Sequence, residues 1–230
     1  VRGIESVSPE GIRYEDFMPA TRRNPQQMFD RLKKITESIE TIHYKRLMAL
    51  FWDDEGLVEK FKLAPAAKKM HHAYLGGLLE HTLSLALLTE KVADHYGGLD
   101  KDLLLTGAML HDIGKVKEFE YDRFIDYSDE GRLISHIVIG LDMIEKKINQ
   151  IEDFPEKAGI LLKHLIVSHH GSRELGSPQV PMTLEAVMLD YLDEIDSKIN
   201  GIREFMESNG TDGDWTPYHK LLERYFYKGK

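Results

Sequence analysis

The sequence predicts an all-α helical bundle, and three observations carry the prediction. Apolar residues recur at three- and four-residue spacing through most of the chain, helix-start signals stand ahead of those runs, and strand-like alternation is confined to short pieces such as Gly11–Tyr14 and Phe119–Ser128. Asn24-Pro25 is a cap and first-turn pair, and Met28, Leu32, Ile35, Ile39, Ile42 and Leu47 then share a face, which predicts one long amphipathic helix to about Phe51. A shorter helix is expected near Glu55–Lys62, and Ala64-Pro65 is expected to open another that ends by His71-His72. Leu78, Leu85, Leu88 and Val92 share a stripe with His81, which therefore points inward. Asp100 caps the next helix, whose inward line is Leu104, Gly107, Ala108 and His111. Phe119–Ser128 reads as a small hairpin or a lid. From Gly131, the residues Leu133, Ile137, Gly140, Leu141, Ile144 and Ile148 predict a helix that carries His136. Pro155 opens one in which Leu161, Leu162, Leu165 and Ile166 lead to His169 and His170, with Gly171 as its stop. Thr183 opens the last long helix, through Ala186, Leu189, Leu192, Ile195 and Ile199, which sets Asp193 and Asp196 among apolar neighbours. Residues 1–23 read as an irregular segment or linker ahead of one domain over 24–230.

Composition narrows the function. Hydrophobic residues make up 42% and charged residues 30% of the chain, and no apolar run is long enough to span a bilayer, so membrane association is not expected and a cytoplasmic home is. With no cysteine, disulfides and zinc–thiolate sites are excluded, and any metal must be held by His, Asp or Glu. The formal charge of -9 argues against broad adhesion to nucleic acid through a basic surface, although a local basic channel is compatible with it. The chain opens on Val rather than Met and shows no signal peptide, which fits a segment of a longer gene product.

Five inward histidines and two carboxylates, on five separate helices, point to a metal. Burying unpaired polar groups costs about 1–3 kcal/mol each, and an unpaired carboxylate costs more, so a core lined this way requires a compensating charge. In Leu110-His111-Asp112-Ile113-Gly114-Lys115, His111 can ligate one ion while Asp112, with two oxygens, can bridge two; Gly114 suits a left-handed turn, and Lys115 lies where a cation can meet a phosphate. His81, His111, Asp112, His136, His169, His170 and Asp193 are too many donors for one ion that must also keep water, so two ions sharing Asp112 are expected. Nitrogen and oxygen donors suit Mn, Fe, Ni or Zn, and Mg less well. A two-metal centre clamps the attacking and leaving oxygens of a phosphoryl group, which makes phosphoester hydrolysis the natural reaction. Substrate contacts are expected from Lys115 and, more weakly, from His72, His164 and Arg173.

His81, the His111-Asp112 pair and Asp193, in that order, resemble the signature of the HD-domain superfamily of metal-dependent phosphohydrolases. The phrases from His111 to Glu118, Gly131 to His136, Ser168-His169-His170-Gly171, Gly176-Ser177-Pro178 and Tyr191-Leu192-Asp193 resemble the YhaM-like 3′-5′ exoribonucleases within it. That resemblance implies an HD-domain fold over 24–230, with a second metal near His136 and His169-His170. It also implies removal of nucleoside 5′-monophosphates from the 3′ end of RNA or single-stranded DNA. Members of that family carry an OB-fold domain ahead of the HD domain, of which residues 1–23 would be a remnant. For the distal carboxylate, helical neighbours lean toward Asp196 while the resemblance selects Asp193, and Asp193 is the expected ligand. The alternatives are the same centre acting on a nucleoside monophosphate or cyclic dinucleotide, and a non-catalytic, metal-stabilised sensor module. A homo-oligomer is compatible with the sequence but not encoded in it.

Overall fold

At several helix starts a polar side chain accepts a backbone N–H that lacks an intrahelical partner, among them Asn24 from Gln27, Asp54 from Leu57, Asp100 from Leu103 and Ser128 from Gly131. In the computed structural model, which describes residues 18–68, 72–122, 124–208 and 213–229, these caps open four of the helices. In chain order the helices are α1 (Pro25–Thr36), α2 (Ile42–Trp52), α3 (Glu55–Leu63), α4 (Gly77–His95), α5 (Lys101–Leu110), α6 (Lys115–Glu118), α7 (Asp129–Ile148), α8 (Glu156–Ser168) and α9 (Leu184–Ser208). Between α6 and α7 an antiparallel hairpin pairs β1 (Phe119–Glu120) with β2 (Asp126–Tyr127). The expected all-α architecture is therefore present, and the hairpin expected within Phe119–Ser128 is real.

The bundle is organised on α4 and α5. Helix α4 packs against α1, α3, α5 and α9, and α5 against α2, α8 and α9 as well. Leu78, Leu79, Leu85, Leu104, Leu105 and Leu110 are wholly buried between them. Each such leucine contributes about 1.5–3 kcal/mol of burial free energy, enough in sum to hold polar groups in the middle of the bundle. No described helix is long and apolar enough to cross a membrane.

Four local expectations are corrected. The long first helix is two, because Asp102 on α5 accepts the N–H groups of Glu40 and Thr41 at 3.1 and 2.7 Å and so offers them an alternative to intrahelical bonding; Ile42 is 61% exposed rather than inward. No helix follows Ala64-Pro65 among the described residues. Instead Ala66 N–H donates to the His72 carbonyl and Leu78 N–H to the Ala64 carbonyl, and His72 takes φ 56°. Helix α7 is broken at Ser135 (φ 60°, ψ 162°), which changes the phase of its face and leaves Leu133 82% exposed. Ile195 and Ile199 are also exposed, so the buried line of α9 runs Ala186, Leu189, Leu192, Asp196. The β-capable piece Gly11–Tyr14 lies outside the described residues. The end of the N-terminal segment is tied down, since Thr21 N–H donates to the Leu75 carbonyl and Leu75 N–H to the Pro19 carbonyl.

Candidate metal centre

Local sequence aims each histidine. His111 ends α5 still in helical conformation (φ -55°, ψ -38°), and its Nδ1–H donates to the Ala108 carbonyl one turn back at 2.9 Å. His169 does the same to Ile166 at 2.7 Å at the end of α8. The His170 Nδ1–H reaches the Leu175 carbonyl at 3.1 Å, after Gly171 has turned the chain with φ +75° as a helix stop should. His81 on α4 donates Nδ1–H to Asp196 at 2.8 Å, and His136 on α7 donates its Nδ1–H and its backbone N–H to the same Glu118 oxygen, both at 2.9 Å. Every acceptor here is a carbonyl or carboxylate, so Nδ1 carries the proton in all five rings and each Nε2 presents a lone pair.

Those lone pairs converge with two carboxylates. His81 Nε2 lies 3.2 Å from His111 Nε2 and 3.2 Å from Asp193 Oδ1. Donors about 2.1 Å from one ion, at octahedral or tetrahedral angles, stand about 3.0–3.4 Å apart. Asp112 faces both halves of the cluster. Its Oδ2 is 3.2 Å from His111 Nε2 and 3.8 Å from His81 Nε2, while its Oδ1 is 3.5 Å from His136 Nε2 and 3.7 Å from His169 Nε2. Ligand atoms of His81, His111 and Asp193 lie within 4.8 Å of one another, as do those of His136, His169 and His170. Asp112 Oδ1, His136 Nε2 and His169 Nε2 are buried without a hydrogen-bond partner. Buried acceptors facing one another are costly unless a cation lies between them. The donor set thus fits divalent metal.

Electrostatics agree. Burial alone would lower the His81 pKa, yet the carboxylates of Asp193 and Asp196 raise it to about 10, so without an ion Nε2 takes up a proton, and a bound cation would replace that positive charge. Burial opposes the ionised forms of Asp112 and Asp193, but Lys115, His111 and His136 hold the Asp112 carboxyl well below its usual range, and His81 does so for Asp193. Burial drives the pKa of His169 well down and lowers that of His170, keeping both rings neutral as ligation requires.

The seven expected donors are brought together, and Asp193 faces the cluster while Asp196 stands behind it, accepting from His81, Ser84 and Asn200 and lying 3.4 Å from His72 Nε2. The other expectations fare unevenly. Lys115 lines the cleft of about 570 Å³ that opens onto the cluster, its Nζ 2.6 Å from Asp112 Oδ2. His72 is buried behind His81, His164 Nε2 accepts the Met182 N–H away from the cleft, and Arg173 is exposed and bonded to Gln179, so the structure gives none of the three a place on the cleft wall. Gly114 is right-handed (φ -62°), not left-handed; it is needed because an added methyl would lie 2.0 Å from the His136 carbonyl oxygen. Sequence reasoning missed Glu118, which holds His136 in place. The signal available was a glutamate one turn beyond Gly114, immediately ahead of the stretch that reads as a hairpin.

Comparison with known proteins is consistent with this centre. The family model described as HD domain matches residues 78–198, the span that holds all seven donors. A second model, of a candidate helicase family, matches only residues 15–97. The 3′-5′ exoribonuclease YhaM of Bacillus subtilis (strain 168) is 35% identical over 234 residues, covering 99% of this chain and 72% of that protein. YhaM of Bacillus licheniformis is 36% identical over 220 residues, covering 95% and 69%, and that of Listeria welshimeri 33% over 205 residues, covering 87% and 63%. No solved structure matches the chain.

Proposed function

This chain belongs to the HD domain family, among the YhaM 3′-5′ exoribonucleases, and on that premise we propose that it is a metal-dependent phosphodiesterase that shortens RNA from its 3′ end, releasing nucleoside 5′-monophosphates. The observation that carries the reading is Asp112, whose two oxygens address separate groups of histidine Nε2 atoms. His81, His111, Asp112 and Asp193 would hold one ion, and His136, His169 and His170, with Asp112 shared, the other. Mn, Fe, Ni or Zn suits these donors, and Mg less well. Bound divalent metal lowers the pKa of water and draws charge from a phosphoryl group.

The remaining tasks fall to the chain. Glu118, Asp196 and three backbone carbonyls fix the ring tautomers, so the donors are preorganised. Lys115, at the cleft wall beside Asp112, balances the charge of the phosphate under attack. In the reaction, phosphorus gains a bond to a water oxygen and loses its bond to the 3′ oxygen of the preceding nucleotide, which leaves with a proton. Protein purified without chelator should contain metal and should convert a 5′-labelled oligoribonucleotide into a ladder shortened from the 3′ end, with 5′-monophosphates in the soluble fraction. Hydrolysis confined to nucleoside monophosphates or cyclic dinucleotides, with the oligomer intact, would refute the exonuclease assignment.

The two distal aspartates are separable. Asp193→Asn should lose metal and activity together. Asp196→Asn, which weakens the support of His81 without removing a group that faces the cluster, should keep near-normal metal and lose about 10–100-fold in rate. Metal analysis of both variants checks this, and the opposite pattern would exchange their roles.

A further inference from the structure

Beside the cleft described above lies a second cavity of about 500 Å³, lined by Arg132, Ser135 and Ile137 among others. The two share Glu118, His136 and His170, so both open onto one side of the metal centre, and they also share Tyr127 and Leu175. Tyr127 is 39% and Leu175 69% exposed, unusual for apolar groups beside a polar centre. Tyr127 is also held firmly: it lies in β2, and Phe119 backs its ring with centroids 5.1 Å apart. Asp126, its neighbour in β2, accepts from Lys68 at 2.6 Å and from Arg132 at 2.9 Å. Lys68 lines the first cavity and Arg132 the second. A fixed ring thus stands where the two cavities meet, with Lys68 Nζ 5.6 Å from its centroid, Arg132 on the same Asp126 oxygen as Lys68, and metal donors as the common wall.

We propose that Tyr127 and Leu175, which line both cavities, divide two nucleotide subsites, so that the last two bases of the strand pack against this pair while Lys68 and Arg132, both paired with Asp126, face the phosphate next to the scissile one on its 5′ side. The inference rests on the phosphodiesterase reading and deepens it, naming the substrate as an unpaired strand whose last two bases are separated one from the other. A chain fed in this way passes as single bases. Base–aromatic packing tolerates any base, because each presents a π face, so the pair would select unpaired ends without selecting sequence. The cations would add affinity without reading bases.

A cycle between protein and substrate tests it. Metal-loaded wild type, Tyr127→Ala and Tyr127→Phe are assayed on an unstructured oligoribonucleotide and on versions lacking the base at the last, second-last or third-last nucleotide. In wild type, removing one of the last two bases should lower kcat/KM about 5- to 150-fold, the range of a lost stacking contact. Tyr127→Ala should show the same loss on the intact strand and little further loss on the abasic ones, while Tyr127→Phe stays within about twofold of wild type. Base removal at the third-last position should affect all three proteins alike. Losses that multiply independently at every position, or an unimpaired Tyr127→Ala, would overturn the subsite assignment. Failure of wild type to cut the intact strand would instead remove the phosphodiesterase reading, so the two failures are distinguishable.

Discussion

Asp112→Ala should leave a folded protein that carries no stoichiometric metal and cuts oligoribonucleotide more than about a thousandfold more slowly, because it removes a carboxylate whose oxygens face both sets of histidines. The fold should tolerate the loss. Lys115, which pairs with Asp112, keeps Asp193 and Glu118 as nearby negative charges, so its ammonium is not stranded. Asp112→Asn is the informative companion, since it preserves shape and acceptor while removing charge, and it should also fail to retain metal. Lys115→Ala should behave differently, keeping metal and losing about a hundredfold in turnover, because it acts on the phosphate and not on the ions. Metal analysis paired with the oligonucleotide assay separates the cases. Wild-type metal content in Asp112→Ala would contradict the bridging role.

Gly114→Ala should destabilise strongly for a change that adds a single carbon. The backbone there is ordinary right-handed helix, so alanine is not excluded by its own conformation and would even be favoured by helix propensity. The obstacle is the neighbour. The new methyl would lie 2.0 Å from the His136 carbonyl oxygen and 2.7 Å from the Gly140 nitrogen, both backbone atoms of α7, so no side-chain rotation relieves the overlap. Helices α6 and α7 must part, displacing His136. A cost of about 3 kcal/mol, at the upper end of overpacking, corresponds to a fall of about 6–12 °C in Tm for a chain of this size. Gly97→Ala is the control, since nothing lies within 4 Å of the added atom, and it should change stability by less than about 0.5 kcal/mol. Thermal unfolding of both variants under identical metal conditions decides it; equal midpoints would show that the α6–α7 contact yields easily.

The donors were legible in the sequence where the helix around them is regular. His81 and His111 sit in phase with Leu78, Leu85, Leu104 and Ala108, and both are buried as that phase requires. The apolar stripe around His136 is only partly a guide to its burial, because it includes Leu133, which the break at Ser135 turns out to solvent. That break depends on Glu118 capturing the His136 N–H from another helix, a contact between residues 18 apart in sequence that periodicity does not report. The division between α1 and α2 has the same origin, two N–H groups captured by Asp102 from a distant helix. Local propensity describes what a segment does alone. It does not anticipate a polar side chain arriving from elsewhere to accept its hydrogen bonds.

The donors come from α4, the turn after α5, α7, the end of α8 and α9, and are distributed along the chain from His81 to Asp193. No short peptide contains the set, so an unfolded chain competes poorly for ions that the native bundle holds well. By mass action, free metal at 100 times its Kd would stabilise the native state by about 2.7 kcal/mol, and at 1,000 times by about 4.1 kcal/mol. The unfolding midpoint should then climb with metal concentration and drop on chelation. Metal scarcity would therefore act on the abundance of this protein as well as on its rate, because molecules without their ions unfold more often and are more open to proteolysis.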